Sequence, residues 1–146
     1  MDKIKELREL TGAGIMDAKR ALEEAKGNMK KAAEIIAEKG LAKAAKKSDR
    51  STAAGRVYSY IHSTGKVGAM VEIACETDFV AENADFVNLC KEVAMQIASM
   101  NPENVEALLA MDYIRDGSKK IDDLVKALIA KTGENMKVVR FSRFEL

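Results

Sequence analysis

The stretch EIACETDFVAEN, from Glu72 to Asn83, joins a predicted strand to a predicted helix. The residues leading into it are apolar at alternate positions, as in a strand with one buried face: Val67, Ala69, Val71, Ile73 and Cys75. The alternation stops at Thr77, Phe79 falls in the turn that follows, and Asn83 is a suitable N-cap for a new helix. A phenylalanine at such a surface position either folds back onto the core or is presented to a partner beside the carboxylate of Asp78.

Around this stretch, the sequence predicts an α+β domain over residues 56–146. Three strands are expected to form one antiparallel sheet with helices on one face. The chain's single proline, Pro102, is expected to stop the long helix that Asn83 begins. The predicted elements are a strand from Arg56 to Ile61, a turn at 63–66, a strand from Val67 to Cys75, a long helix from Asn83 to Asn101, a short helix from Val105 to Met111, a helix capped by Ser118 and ended by Gly133, and a last strand from Met136 to Phe144.

The first 40 residues predict a small module of three short helices. Asp2 and Asn28 are suitable N-caps, and the glycines near positions 12–14 break the chain between the first two helices. Gly27 is expected to end the second helix and Gly40 the third. The apolar positions expected to face inward include Ile4, Leu7 with Leu10 or Thr11, Ile15, Ala18, Leu22, Ala25, Ala32, Ile35 and Ile36.

Residues 41–55 mark a change of composition between these two parts. The segment LAKAAKK favours helix by propensity but has almost no apolar stripe, and the following SDRSTAAG is typical of a linker. The predicted domains are therefore a docking module over 1–40, a helical strut with a flexible linker over 41–55, and a core domain over 56–146.

Composition narrows the class of protein. The 146 residues are 47% apolar and 32% charged with a net charge of +1, which is typical of a folded chain with no overall field for nucleic acid or an acidic membrane. No apolar run is long enough to span a bilayer and no signal-peptide pattern is present, so the cytoplasm is the expected compartment. Cys75 and Cys90 lie at apolar positions and are expected to be buried thiols, because two cysteines make no disulfide framework.

The sequence predicts no catalytic, metal or cofactor site. His62 is the only histidine and is expected to be a structural or surface residue. Gly12-Ala13-Gly14 follows a helix and lacks the Gly-Lys-Ser/Thr that cradles phosphate. A basic tract, formed by Lys39, Lys43, Lys46, Lys47 and Arg50, is most simply a solvated helix surface, although contact with an RNA backbone is an alternative.

Two segments resemble signatures of one family. Residues 7–22, LRELTGAGIMDAKRAL, and residues 72–83 resemble the two signatures of bacterial translation elongation factor Ts, in the same order and at about the same spacing. Residues 40–47 and 133–146 are also similar to that family. The resemblance covers most of the chain and implies a guanine nucleotide exchange factor for elongation factor Tu. Such an exchange factor does no chemistry of its own.

The resemblance also implies roles for particular residues. Residues 1–40 would be a ubiquitin-associated-like module that docks on the GTPase domain through Arg8, Gly12, Gly14, Ile15 and Met16. The element Thr77, Asp78, Phe79 and Val80 would enter the GTPase, with Phe79 between two of its helices. That movement would displace magnesium and disturb the site that holds the nucleotide phosphates.

The chain departs from the family pattern after Pro102. It has one copy of the core subdomain and almost no helical insert, which puts contacts to the far domain of the GTPase in doubt and favours a homodimer through the core sheet. Two functions of another class are alternatives. In the first, the chain is a small RNA- or ribosome-associated module that uses the basic tract, and Phe79 is structural. In the second, which is less favoured because no site is visible, the chain is a small-molecule enzyme.

Overall fold

The structure is a computed structural model that describes residues 2–146. Three helices come first: α1 (Lys3–Thr11), α2 (Ile15–Glu24) and α3 (Met29–Ala45). The remaining elements are β1 (Ala54–Ile61), β2 (Val67–Cys75), α4 (Asp78–Ala81), α5 (Ala84–Met100), α6 (Val105–Ala110), β3 (Asp112–Tyr113), β4 (Asp116–Lys120), α7 (Ile121–Thr132) and β5 (Lys137–Glu145).

The three-stranded antiparallel sheet predicted from the sequence is confirmed, in the order β1-β2-β5. Alternate residues of β1 are half-buried and exposed, which is the pattern of a sheet covered on one face. The covering helices include α5, whose predicted stripe is buried, and α7. The core formed in this way contains Val71, Ile73, Phe86, Val93, Ile97, Leu108 and Ile121, all fully buried.

The helix starts that depend on local capping are confirmed. The Asp2 carboxylate accepts a hydrogen bond from the backbone N–H of Ile4, and the Asn28 side chain accepts one from Lys31. Asn83 caps α5 by accepting from Asp85. Each of these bonds satisfies a backbone donor that the first turn of a helix leaves without a partner.

The prediction that Gly40 ends the third helix is wrong. The helix α3 continues through Gly40 to Ala45 and so contains most of the predicted strut. A Cβ added at Gly40 would lie 3.2 Å from the Cβ of Ala130, on α7. Gly40 is therefore a residue of close helix–helix packing, and this contact between α3 and α7 offsets the low helix propensity of glycine.

The prediction that Ser118 caps the last helix is also wrong. Ser118 lies in β4 and its hydroxyl donates a 2.6 Å hydrogen bond to Asp116. The helix α7 begins at Ile121, where the carboxylate of Asp123 accepts from the backbone N–H of Lys120 at 2.9 Å. The short hairpin β3–β4, which the sequence analysis did not predict, occupies the residues before it.

The inward positions assigned to the N-terminal module are correct only in part. Leu7, Ala18, Leu22 and Ala32 are buried together in a second, smaller core. Leu10 is 71% exposed and Ile15 is 57% exposed, so neither belongs to that core. Both lie beside the break between α1 and α2, which makes this end of the module apolar on its surface.

Candidate functional site

The chain leaves β2 at Cys75 and forms one helical turn, α4, where the sequence predicted an irregular turn. Thr77 has an extended backbone and is the N-cap of this turn. Its hydroxyl oxygen accepts from the backbone N–H of Val80 at 3.3 Å. At the other end of the turn, Arg56 on β1 donates through Nε to the carbonyl oxygen of Ala81 at 3.1 Å. The turn is therefore capped at its start and tied to the sheet at its end.

Phe79 points out of this turn and is 85% exposed. The two residues after it, Val80 and Ala81, are buried in the main core at 6% and 4% exposure. Asp78, beside Phe79, is also exposed. The possibility that Phe79 folds back onto the core is therefore wrong, and Val80 serves as an anchor of the turn in this structure. Leaving a phenylalanine side chain in water forgoes about 1.5–3 kcal/mol of burial.

A polar network behind the turn joins it to the segment between α7 and β5. The carboxylate of Glu134 accepts hydrogen bonds from the backbone N–H groups of Glu76, at 3.1 Å, and Thr77, at 3.0 Å. Its other oxygen accepts from the hydroxyl of Thr77 at 2.7 Å. Sequence reasoning assigned no role to Glu134, because nothing local in the sequence connects it with a turn 57 residues earlier.

The same network reaches the segment that follows α3. The Glu76 carboxylate accepts from the backbone N–H of Asn135 at 2.8 Å and from Arg50 at 2.9 Å. The buried side chain of Asn135 donates to the carbonyl oxygens of Ser48 and Arg50, at 3.3 and 2.7 Å. The segment expected to be a flexible linker is thus held by hydrogen bonds at two of its residues, Ser48 and Arg50.

The two cysteines lie in the same buried core as Val80 and Ala81 of the turn. Cys75 and Cys90 are free thiols, and both are fully buried, as predicted. Burial, with a smaller effect from the Glu134 carboxylate, raises the pKa of the Cys75 thiol. Burial raises the pKa of Cys90 from 9.0 to about 12. Both thiols are therefore protonated, unreactive core groups at neutral pH.

The predicted docking residues surround the break between α1 and α2. Gly12 has a φ of 70°, which ends α1 in a left-handed conformation, and Gly14 occupies the N-cap position of α2. Arg8 donates through Nε to the carbonyl oxygen of Ala13 at 3.4 Å. Ile15 and Met16 follow, each 57% exposed. These five predicted residues therefore share one end of the module, and Leu10 extends the same exposed apolar surface.

The N-terminal module packs against the core domain. A Cβ added at Gly12 would lie 2.9 Å from Cε of Lys131 on α7. The ammonium group of Lys131 forms an ion pair with Asp85 at the start of α5, at 2.8 Å. Together with the contact between Gly40 and Ala130, this close approach places the module directly against α7.

Most of the basic tract is already paired with acidic side chains. Lys39 contacts Glu24 at 2.7 Å, Lys43 contacts Asp17 at 2.9 Å, and Arg50 contacts Glu76. The hydrogen bond from Lys43 holds the pKa of the Asp17 carboxyl below its usual value. These pairs leave less free positive charge for an RNA backbone than the sequence alone suggests.

Among residues 2–146, no group of three or more His, Cys, Asp or Glu side chains could hold a metal ion. His62 is exposed and shares a 3.0 Å hydrogen bond between its Nδ1 and the hydroxyl of Tyr60. None of the helices in this part of the chain is both long and apolar enough to cross a membrane.

Comparison with known proteins agrees with the signatures seen in the sequence. Residues 76–146 match the family model described as Elongation factor TS. Elongation factor Ts of Clostridium kluyveri is 54% identical over 140 residues, which cover 96% of this chain and 46% of that protein. The chain thus spans about half the length of such relatives.

Other relatives are closer to this chain in length. Elongation factor Ts of Oleidesulfovibrio alaskensis is 42% identical, with 98% of this chain and 95% of that protein covered. Elongation factor Ts of a Thermotoga species is 41% identical over 189 positions, which cover the whole of this chain and 95% of that protein. With this identity over nearly the full length of such relatives, the chain belongs to the elongation factor Ts family.

Proposed function

We propose that this protein is a guanine nucleotide exchange factor that binds elongation factor Tu and promotes release of GDP during translation elongation. The observation that carries this proposal is the exposed Phe79, held out by a capped turn whose next two residues are buried. An aromatic side chain that is held in water gains no burial energy within the chain, whereas it does gain this energy in a pocket on a partner. We propose the bacterial cytoplasm as the compartment, since translation takes place there.

The proposed mechanism is coupling between two binding events, without covalent chemistry. If Phe79 enters the GTPase only when the magnesium and phosphate site is disturbed, the protein binds the nucleotide-free state better. It then weakens nucleotide binding by the same factor. A buried aromatic anchor of this kind is worth about 2 kcal/mol or more. That energy corresponds to about a 30-fold change in rate.

Two parts of the chain divide the work in this proposal. The module over 1–40, with Arg8, Gly12, Gly14, Ile15 and Met16, docks on the GTPase domain. The turn Thr77–Val80, carried by the core domain over 56–146, disturbs the nucleotide site. The contacts of α7 with Gly12 and Gly40 support this division, because they hold the two parts in one arrangement. Docking thereby raises the local concentration of Phe79 at its pocket.

The experiment that tests this function follows release of a fluorescent GDP analogue from elongation factor Tu. The intact chain should accelerate release, and Phe79→Ala should reduce the maximal rate about 30-fold with no loss of folding stability. Ile114→Ala removes an apolar side chain that is 45% exposed elsewhere on the core domain, so it serves as the matched control. Normal release with Phe79→Ala would exclude the proposed role of this residue.

We further propose that two copies pair through the uncovered face of the sheet. Ile61, Met70 and Phe144 project from this face and are 65%, 53% and 78% exposed. Ile61 and Phe144 flank Gly68 on the neighbouring strand, which makes a continuous apolar row across the sheet. Sedimentation equilibrium should give a dimer that Phe144→Asp dissociates, and a monomer at all accessible concentrations would contradict this pairing.

A further inference from the structure

We propose that Glu134 is a positioning residue for nucleotide exchange, whose carboxylate holds the Thr77–Val80 turn in the geometry that presents Phe79 to the GTPase. This inference rests on the proposed function and assigns it a residue that lies outside the turn. Glu134 is 55 positions away from Phe79 in the sequence, between the end of α7 and the start of β5.

The carboxylate of Glu134 accepts hydrogen bonds from both donors of Thr77, its backbone N–H and its hydroxyl. One oxygen accepts from the backbone N–H of Thr77 and from that of Glu76, and the other accepts from the hydroxyl of Thr77. An ionised carboxylate has lone pairs for all three bonds, and hydrogen bonds to a charged acceptor are stronger than those between neutral groups. The two residues that lead into α4 are therefore fixed by one side chain.

The bond to the hydroxyl also sets the cap of α4. Because the hydroxyl hydrogen of Thr77 points to Glu134, a lone pair on the same oxygen remains free to accept from the backbone N–H of Val80. This chain of bonds runs from Glu134 through Thr77 to Val80, the residue after Phe79. It couples the rotamer of Thr77 to the backbone of the turn.

Glu134 can act as a fixed support because its own position is determined. The next residue, Asn135, donates its backbone N–H to Glu76 and its side-chain amide to the carbonyl oxygens of Ser48 and Arg50. The carboxylates of Glu76 and Glu134 thus cross, each bonding the backbone of the opposite segment. Reciprocal bonding of this kind resists sliding of one segment past the other.

Phe79 depends on this support because its own side chain is almost entirely in water. With 85% of the residue exposed, packing inside the chain contributes little to its direction, and the backbone of α4 must set it. A turn that is already ordered before binding avoids the entropy cost of ordering it on the partner. Loosening the turn should therefore reduce the effect of Phe79 without changing any atom that contacts the GTPase.

The first test is a double-mutant cycle on the maximal rate of GDP release. Glu134→Ala should lower that rate about tenfold, the scale expected for lost bonds to a charged acceptor. Glu134→Gln should restore most of it, because its carbonyl oxygen still accepts from both backbone N–H groups. In the Phe79→Ala background, Glu134→Ala should cause no further loss, since the two residues act through one element. Glu106→Ala, at an exposed glutamate on α6, is the control.

The outcomes separate this inference from the function on which it rests. Normal release with Phe79→Ala would overturn both. Slow release with Phe79→Ala but normal release with Glu134→Ala would overturn the positioning role alone. Equal loss from Glu134→Ala with and without Phe79 would also overturn it, because a general loss of structure is additive with the loss of Phe79.

The second test needs no GTPase and reads the turn directly. The chain has no tryptophan, so Phe79→Trp supplies a single fluorescent reporter at the position in question. Time-resolved anisotropy should show faster local rotation of this tryptophan after Glu134→Ala, and rotation close to the original after Glu134→Gln. Unchanged rotation with Glu134→Ala would contradict the proposed support, and thermal unfolding of each variant confirms that the assay is made on folded protein.

Discussion

The two surfaces that we propose for partner binding are built in different ways. The break between α1 and α2 is held mainly by bonds within a few residues, such as those of Gly12 to Arg8 and Arg8 to Ala13. The turn that carries Phe79 is held by Glu134, which is 57 residues from Thr77. One surface is therefore held mainly by bonds that are local in the sequence, and the other also by bonds from a residue that the fold brings to it from a distant segment.

This difference suits the two proposed roles. A docking surface needs exposed apolar area, and Ile15, Met16 and Leu10 supply it from a small module. An element that acts by binding the nucleotide-free state more tightly loses less of its binding energy to ordering when it is already rigid. The comparison predicts that the two surfaces differ in rigidity and in the step of exchange that each controls.

The largest expected effect concerns the thiols beneath the Phe79 turn. Raising the pKa of Cys90 from 9.0 to about 12 lowers its thiolate fraction near pH 8 about a thousandfold. Alkylation of Cys75 and Cys90 at that pH should therefore be slow in the folded protein and fast in denaturant, as mass spectrometry can measure. Rapid alkylation of Cys75 in the native state would show that the turn opens, and the contrast in rigidity would then fail.

The same pKa shift has a consequence for stability at high pH. The folded-state pKa of Cys90 lies above its unfolded value. The stabilisation that the fold gains from keeping this thiol protonated is therefore complete below pH 9 and is lost as the pH rises towards 12. The free energy of unfolding should fall across this window. Cys90→Ala, compared with the parent chain by urea unfolding, should remove that part of the slope. A slope unchanged by the substitution would contradict the burial of an ionisable thiol.

A smaller effect is expected from Met16, which tests whether the two surfaces control different steps. Met16→Ala should raise the concentration of this chain needed for half-maximal GDP release about tenfold, as for loss of a moderate interface contact. The maximal rate should remain close to that of the parent, because the Phe79 turn is intact. If saturating protein does not restore the rate, the docking role assigned to the module is wrong.

The smallest effect is expected from salt. Lys39, Lys43 and Arg50 are already paired within the chain, and the contact that we propose for Phe79 is apolar. Raising salt from 50 to 200 mM should therefore change the affinity for elongation factor Tu much less than the roughly 10³-fold loss typical of a protein with several phosphate contacts. A steep salt dependence, or tight binding to RNA at physiological salt, would favour the alternative of an RNA-associated module.

The sequence predicted the parts of the fold whose causes are local. Asn28 and Asn83 begin helices through bonds to residues two or three positions away, and the alternation that ends at Cys75 is a property of β2 alone. Gly40 was misassigned because its effect depends on Ala130, 90 positions later, which no local pattern reveals. Ser118 was misassigned because β4, with the sequence DGSKK, is almost entirely exposed and has no alternating apolar residues that would predict a strand.

The candidate site was predictable to a similar extent. The break in alternation at Thr77 and the family resemblance pointed to Phe79, but neither determined whether its side chain was buried or exposed. Glu134 could not be found, because its role depends on the pairing of two loops brought together by the sheet. In physical terms, the sequence marked the residue that we propose to contact the partner and missed the residue that we propose to support it.

The proposed coupling can be measured from the affinity of this chain for elongation factor Tu in its GDP-bound and nucleotide-free states. Titration calorimetry with the GDP-bound and the nucleotide-free GTPase gives the coupling factor without kinetic assumptions. We predict that the intact chain binds the nucleotide-free form at least about 30-fold more tightly, and that Phe79→Ala loses most of this ratio. Equal affinities of the intact chain for both forms would contradict the claim that it acts by coupling its binding to nucleotide release.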